Sequence, residues 1–343
     1  LTPQGPKKSR LRRILARLAY VLGVLLVLGI AGELTARFMG FRPWMETIQT
    51  ISIQPAGSFY QPDSILGYRG KPGKFDLSIN SKIPFSVTHD SSGWRICSPH
   101  PMPDSLPEIW ILGCSFTHGY GVNDTETYPA QLQELMPSYR VRNLGMDGYG
   151  TFQNWMTLTQ ELAKGQKPVL VVLAYGAFHD QRNTANRYWR KALHGQQIAE
   201  SLRYPYIRLD ENDSLHVHYT QLQYHPLPLQ RHLALPSLIE ERWNRNEDKG
   251  LRSKFVTEIL IRRIAEASHQ AGAHFVLAGI YRHEETTNML RTFHLNRLHT
   301  VDISENLERP LLRISLDNGH PNPIAHQLMA VSLKKYLEQK VLK

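Results

Sequence analysis

Two short stretches at opposite ends of a 343-residue chain hold the residue types of a nucleophile and its base. Toward one end, Gly113-Cys114-Ser115-Phe116-Thr117-His118-Gly119-Tyr120-Gly121-Val122 follows an apolar run; toward the other, Asp317-Asn318-Gly319-His320-Pro321-Asn322 precedes a helical stretch. A serine hydroxyl is a weak nucleophile until an imidazole takes its proton, and the imidazole works best when an acceptor holds its other ring nitrogen. Asp317, three residues before His320, is an acceptor of the right kind. Ser115, Asp317 and His320 are therefore the expected catalytic residues, for a reaction in which the serine attacks an acyl carbon. Cys114 is the competing nucleophile, but neighbouring side chains at a strand exit point apart, so a base that serves Ser115 does not serve Cys114.

These residues need a frame that brings distant segments together. The apolar run Glu108–Leu112 ends at a glycine and reads as a buried strand, followed by apolar runs at 139–144, 168–175, 274–280 and, more weakly, 299–303. Helix-like stretches separate them. Strands alternating with helices imply right-handed crossovers and a parallel sheet covered on both faces, a flavodoxin-like, doubly wound α/β layout. A serine just past the first strand then stands at the carboxyl edge of the sheet, where backbone N–H groups face an oxyanion. Residues 323–340 read as the closing helix. Residues 187–250 form a polar insertion with a hairpin expected at 206–219 around 210–213, the kind of segment that makes a lid or wall. Residues 33–107 are broken by Pro, Gly and Ser and read as a stalk with irregular strands at 74–80 and 83–88 leading into the domain at 108–343.

At the other extreme, residues 14–32 are apolar apart from Arg17 and long enough to span a hydrocarbon core. Lys7, Lys8, Arg10, Arg12 and Arg13 crowd the preceding tail, whereas Glu33, Arg37 and Arg42 are mixed beyond it. The positive-inside rule places residues 1–13 in the cytoplasm and exports everything after Gly32. A retained single-pass anchor is expected; a cleaved signal peptide is the alternative, and both imply export.

The formal charge of +10 suggests nucleic acid only until it is located. Together with Arg17, the basic tail supplies six of those charges, leaving about four for the rest of the chain, so no nucleic-acid partner is expected. Two cysteines, Cys97 and Cys114, make neither a disulfide framework nor a zinc cluster, although an oxidising compartment leaves their pairing open. The sixteen histidines show no metal-binding spacing; His216 and His218 alternate on an expected strand in the insertion. No glycine-rich phosphate loop occurs. Neither metal nor cofactor is expected.

The blocks at Gly113, Ser115, Phe116, Thr117, Gly119 and Gly121-Val122, at Asn143-Leu144-Gly145-Met146-Asp147-Gly148-Tyr149-Gly150, and at Asp317 and His320 with Pro321, Asn322 and His326 resemble those of the SGNH (GDSL-type) hydrolases. The resemblance covers roughly residues 108–337 apart from the insertion. It implies a three-layer α/β/α fold, ester hydrolysis or acyl transfer, and an oxyanion hole formed by the backbone N–H groups of Ser115 and Gly148. Two positions depart from the pattern. Cys114 stands where such chains usually carry Asp, and His179, in Gly176-Ala177-Phe178-His179-Asp180, stands where they carry an Asn that donates to the oxyanion. His179 is the expected replacement donor, with Asn183 as a nearby alternative.

The resulting expectation is a bacterial inner-membrane protein, tethered by one N-terminal helix, whose periplasmic or extracellular domain acts on acyl esters of envelope carbohydrate or lipid. The alternative, prompted by the altered positions, is a non-catalytic SGNH-fold subunit that docks on other membrane proteins.

Overall fold

The computed structural model describes residues 7–46, 50–194, 203–314 and 319–342. The expected acid, Asp317, lies outside the described residues. The chain divides into two compact units, one of residues 1–47 with 225–247 and one of residues 48–224 with 248–343.

In the first unit, helix α1 (Lys7–Phe38) continues past the end of the apolar stretch. Residues 11–38 are long and apolar enough to cross a membrane, and their side chains are almost all exposed. Where the apolar stretch ends, the Glu33 carboxylate accepts the backbone N–H groups of Ala234 (3.1 Å) and Leu235 (2.8 Å). These are orphan donors at the start of a helix (Leu235–Leu251), and a carboxylate satisfies them as a cap does. Trp44 N–H donates to the Gln230 carbonyl, and Arg231 lies over the Trp44 ring while pairing with Glu46.

The second unit holds the catalytic candidates. Its short strands β1 (Ile51–Gln54), β2 (Tyr60–Asp63), β3 (Gly67–Gly70), β4 (Gly73–Ile79) and β5 (Ile83–His89) form two antiparallel sheets, β1-β4-β5 and β2-β3. β4 and β5 fall where irregular strands were expected, and the lead-in around them is packed structure. Phe59, Leu66, Tyr68, Phe75, Leu77, Ile79, Phe85, Val87 and Trp94 join the main core. The four-residue strands β1, β2 and β3 are too short to show a period in the sequence, unlike β4 and β5.

Then come β6 (Glu108–Leu112), α2 (Ser115–His118), α3 (Tyr128–Leu135), β7 (Arg140–Asn143), α4 (Thr151–Ala163), β8 (Leu170–Tyr175), α5 (Phe178–Asn183) and α6 (Arg187–Ala192). The hairpin in the insertion is β9 (Arg203–Leu209) with β10 (Leu215–Gln221). After the helix at Leu235–Leu251, here α7, follow α8 (Ser253–Gln270), β11 (His274–Gly279), α9 (Glu284–Leu295), β12 (His299–Asp302) and α10 (Pro323–Lys340).

All five strands of the central sheet are parallel, in the order β12-β11-β8-β6-β7. Side chains alternate between its faces. Trp110, Leu112, Val171, Leu173, Phe275 and Leu277 meet α4, α8 and α9 on one side; Ile109, Ile111, Leu170, Val172, Val276 and Ala278 meet α3 and α10 on the other. This is a three-layer, doubly wound α/β/α fold. Chain order reverses between β6 and β8, and in such sheets a ligand crevice opens beyond the carboxyl ends of the strands at that point. Ser115 follows β6 and His179 follows β8.

Candidate active site

Ser115 is the first residue of α2 and is only 6% exposed. A tight approach seats it: a Cβ on Gly113 would fall 2.0 Å from Thr117 Oγ1, and one on Gly145 would fall 2.6 Å from Thr117 Cβ. Only glycines let the β6 exit and the loop after β7 close on this helix. Asn143 ties them further, donating from Nδ2 to the Thr117 carbonyl (2.8 Å) and accepting Gly145 N–H at Oδ1 (3.1 Å). At the other end of α2, the buried Arg95 guanidinium donates to the carbonyls of His118, Gly119 and Val122 at 2.6 to 2.8 Å and pairs with Asp124. A cation on those orphan carbonyls is the favourable end of the helix dipole.

His320 sits in the loop before α10. The loop is closed by Ile314 N–H donating to the His320 carbonyl (3.1 Å) and by Asn322, which donates to the Leu311 carbonyl and caps α10 by accepting Ala325 N–H. The His320 ring lies against Tyr120 (centroids 4.7 Å) and Phe116 (5.2 Å). Its Nε2 is 2.9 Å from Ser115 Oγ. The structure therefore brings together two of the expected catalytic residues, 205 positions apart, at the separation a base needs to accept a hydroxyl proton. For Nε2 to accept, the imidazole carries its proton on Nδ1.

The expected oxyanion donors are placed as follows. Gly148 has φ +76°, a conformation L side chains avoid, and a Cβ there would meet Tyr68 Oη at 2.5 Å. It lies in the loop strapped to α2. His179 is fully buried at the start of α5, edge-on to the rings of Tyr175 and Phe178, with Nδ1 3.5 Å from Thr151 Oγ1. Thr151 opens α4 directly after the Gly148 loop. His179 Nε2 has no hydrogen-bond partner among the described residues. Burial, and then the nearby Arg182 guanidinium, drive its pKa well below the usual histidine range, so the ring is neutral. Asn183 is occupied elsewhere: its Oδ1 accepts Phe152 N–H (2.9 Å) and its Nδ2 donates to Thr257 Oγ1 (2.8 Å). It binds α4 to α8 through these two bonds. Cys97 and Cys114 are free thiols, and Cys114 is buried under the sheet.

Sequence reasoning missed a polar cluster behind the serine. His118 Nδ1 lies 3.1 Å from Asp147 Oδ1, and His118 Nε2 lies 3.0 Å from His89 Nε2. His89 Nδ1 faces the Lys71 carbonyl at 3.1 Å. The Tyr60 hydroxyl donates to Asp147 Oδ2 and the Tyr68 hydroxyl to the Asp147 carbonyl. Burial pushes the His89 pKa down to about 3, with the His118 ring adding to the effect. Burial alone raises the Asp147 carboxyl, but His118, the Tyr60 hydroxyl and, at longer range, His320 outweigh it and hold the group at about 2. One signal was available: His118 follows Ser115 by three residues and so shares its helical face.

No family model and no curated protein sequence matches the chain. Among solved structures it is similar to TesA (14% identity, TM-score 0.42, covering 68% of this chain and 98% of that one). It is also similar to a putative lipolytic protein of the G-D-S-L family from Desulfitobacterium hafniense (15%, TM-score 0.38, covering 67% and 99%). A third is the C-terminal catalytic domain of a Streptococcus pneumoniae peptidoglycan O-acetyltransferase (10%, TM-score 0.34, covering 68% and 94%).

Proposed function

We propose that this chain is a serine-dependent ester hydrolase or O-acyltransferase. The observation that carries the reading is the 2.9 Å contact of Ser115 Oγ with His320 Nε2 at the carboxyl edge of a parallel sheet. Ser115 Oγ attacks the acyl carbon as its proton passes to His320 Nε2, and the negative charge moves to the carbonyl oxygen. His320 then returns the proton to the leaving alcohol, giving an acyl-enzyme; water or a second hydroxyl, deprotonated by the same imidazole, releases the acyl group. Asp317 is the proposed acceptor for His320 Nδ1–H.

The proposed oxyanion donors are the N–H groups of Ser115 and Gly148 and the Nε2–H of His179. Three features support His179. Its Nδ1 faces Thr151 Oγ1 at 3.5 Å, and with the hydroxyl as donor there the ring proton sits on Nε2; the ring is neutral; and a buried N–H without a partner costs ~1 to 3 kcal/mol, which a donor awaiting a charged oxygen accounts for.

The apolar α1 and its basic flank support tethering at a membrane with the catalytic unit exported, so the proposed substrates are acyl esters of envelope carbohydrate or lipid. The test uses the full chain in mild detergent with p-nitrophenyl acetate, then with O-acetylated polysaccharide and an acceptor sugar. Acetate release that is lost in Ser115→Ala supports hydrolysis, and acetyl appearing on the acceptor supports transfer. Inactivity on every ester makes the non-catalytic subunit the better account, and copurification of other membrane proteins would then identify its complex.

A further inference from the structure

We propose that the buried contact of His118 with Asp147 positions the oxyanion loop against the nucleophile helix. This rests on the acyl-transfer reading above. The pair joins the two segments whose spacing matters: His118 is on α2 one turn beyond Ser115, and Asp147 immediately precedes Gly148.

His118 spans the cluster: its Nε2 lies 3.0 Å from His89 Nε2, and its Nδ1 lies 3.1 Å from Asp147 Oδ1, a close approach without hydrogen-bond alignment. The Tyr60 hydroxyl donates to Asp147 Oδ2 and the Tyr68 hydroxyl to the Asp147 carbonyl, so the residue before Gly148 is tied to β2 and β3 as well as set against α2.

The titratable and charged groups around the pair are His89 from β5, Tyr60 from β2, Tyr68 from β3, Arg95, which binds the His118 carbonyl, and His320, which reaches Asp147 only through its field. Phe59 lies over both histidines, with ring centroids 6.1 and 6.5 Å away. The geometry of the cluster is specific: the Tyr60 and Tyr68 hydroxyls hold Asp147 at Oδ2 and at its own carbonyl while His118 Nδ1 stands 3.1 Å from Oδ1, which leaves the next residue little freedom. His118 and Asp147 touch no reacting atom on this account and are positioning residues.

The test measures kinetics and histidine ring signals on the full chain in detergent. With p-nitrophenyl acetate, His118→Gln and Asp147→Asn are each expected to lower kcat by about 10- to 100-fold, the usual effect of losing a supporting partner, with KM changed by less than about threefold. In protein labelled with 15N-histidine, the His118 ring signals are expected to move in Asp147→Asn while those of exposed histidines stay in place. A parent that turns over ester while His118→Gln matches its kcat overturns the positioning role and leaves the esterase reading intact. A parent that hydrolyses nothing overturns both. His118 ring signals that do not move in a folded Asp147→Asn refute the contact whatever the kinetics, and Tyr60→Phe, which removes the hydroxyl from Asp147 Oδ2, takes its place should Asp147→Asn fail to fold.

Discussion

His326 Nδ1 accepts the backbone N–H of Tyr128 at 3.1 Å, joining the first turns of α10 and α3 across 198 residues. His320 is placed by the loop that leads into α10, and Ser115 by the loop that leads toward α3, so this bond sets the distance between base and nucleophile from behind. His326→Leu leaves the Tyr128 donor buried without an acceptor. The expected cost is about 1 to 3 kcal/mol of stability, read as a lower urea midpoint at unchanged slope, together with slower ester turnover. An unchanged midpoint would show that the joint carries no load.

Stability should fall as the solution is acidified. His89 and His326 are both held neutral in the fold, mainly by burial, with pKa values of about 3 against about 6.5 in an unfolded chain. The unfolded chain therefore takes up protons first, and the stability these groups contribute above about pH 6.5 is lost progressively toward pH 3. Asp180 acts in the opposite sense. Burial raises it to about 7, so its contribution is complete below about pH 3.9 and is lost as the pH rises toward 7. Two histidines outweigh one carboxyl, so Tm should drop between pH 6.5 and 4.5. Asp180→Asn removes the opposing group and should steepen the drop; a shallower drop would put the Asp180 pKa in the ordinary range.

The two glycine environments separate steric need from backbone freedom. Gly113→Ala sets a methyl 2.0 Å from Thr117 Oγ1, a fully buried atom within hydrogen-bonding distance of the Tyr128 hydroxyl (2.9 Å), and should cost about 1 to 3 kcal/mol or more and displace Ser115. Gly250→Ala, in α7 with nothing within 4 Å of the added carbon, should be neutral or stabilise by up to about 1 kcal/mol. Thermal unfolding of both variants checks the contrast.

His179 is the test of the oxyanion hole. His179→Ala should lower kcat by roughly 10² to 10³, the effect of losing one such donor, and His179→Asn should keep or raise activity. Both variants matching the parent would remove His179 from the mechanism.

Much of this was legible in the sequence, for physical reasons. Strands buried on both faces are continuous apolar runs, which is why Glu108–Leu112 and residues 168–175 and 274–280 stood out and the parallel sheet followed. Ser115 and His320 were legible because each lies beside an element end with glycines and caps around it. The His118–Asp147–Tyr60 cluster was not, because its members come from 60, 118 and 147 with no local period linking them. His89 and Tyr60 fell in a region read as a stalk, and a histidine on a short strand carries no mark of the ring it will face. Asn183 was named by proximity alone; only the fold reveals that its Oδ1 accepts Phe152 N–H and its Nδ2 donates to Thr257.

The central claim is that Ser115 is a nucleophile activated by His320. The most direct measurement is covalent labelling of the full chain with a fluorophosphonate probe, located by mass spectrometry of the peptides. The account predicts one adduct, on Ser115, that disappears in Ser115→Ala and forms far more slowly in His320→Ala. No adduct on Ser115 in the folded parent, or labelling at an unchanged rate in His320→Ala, would contradict it.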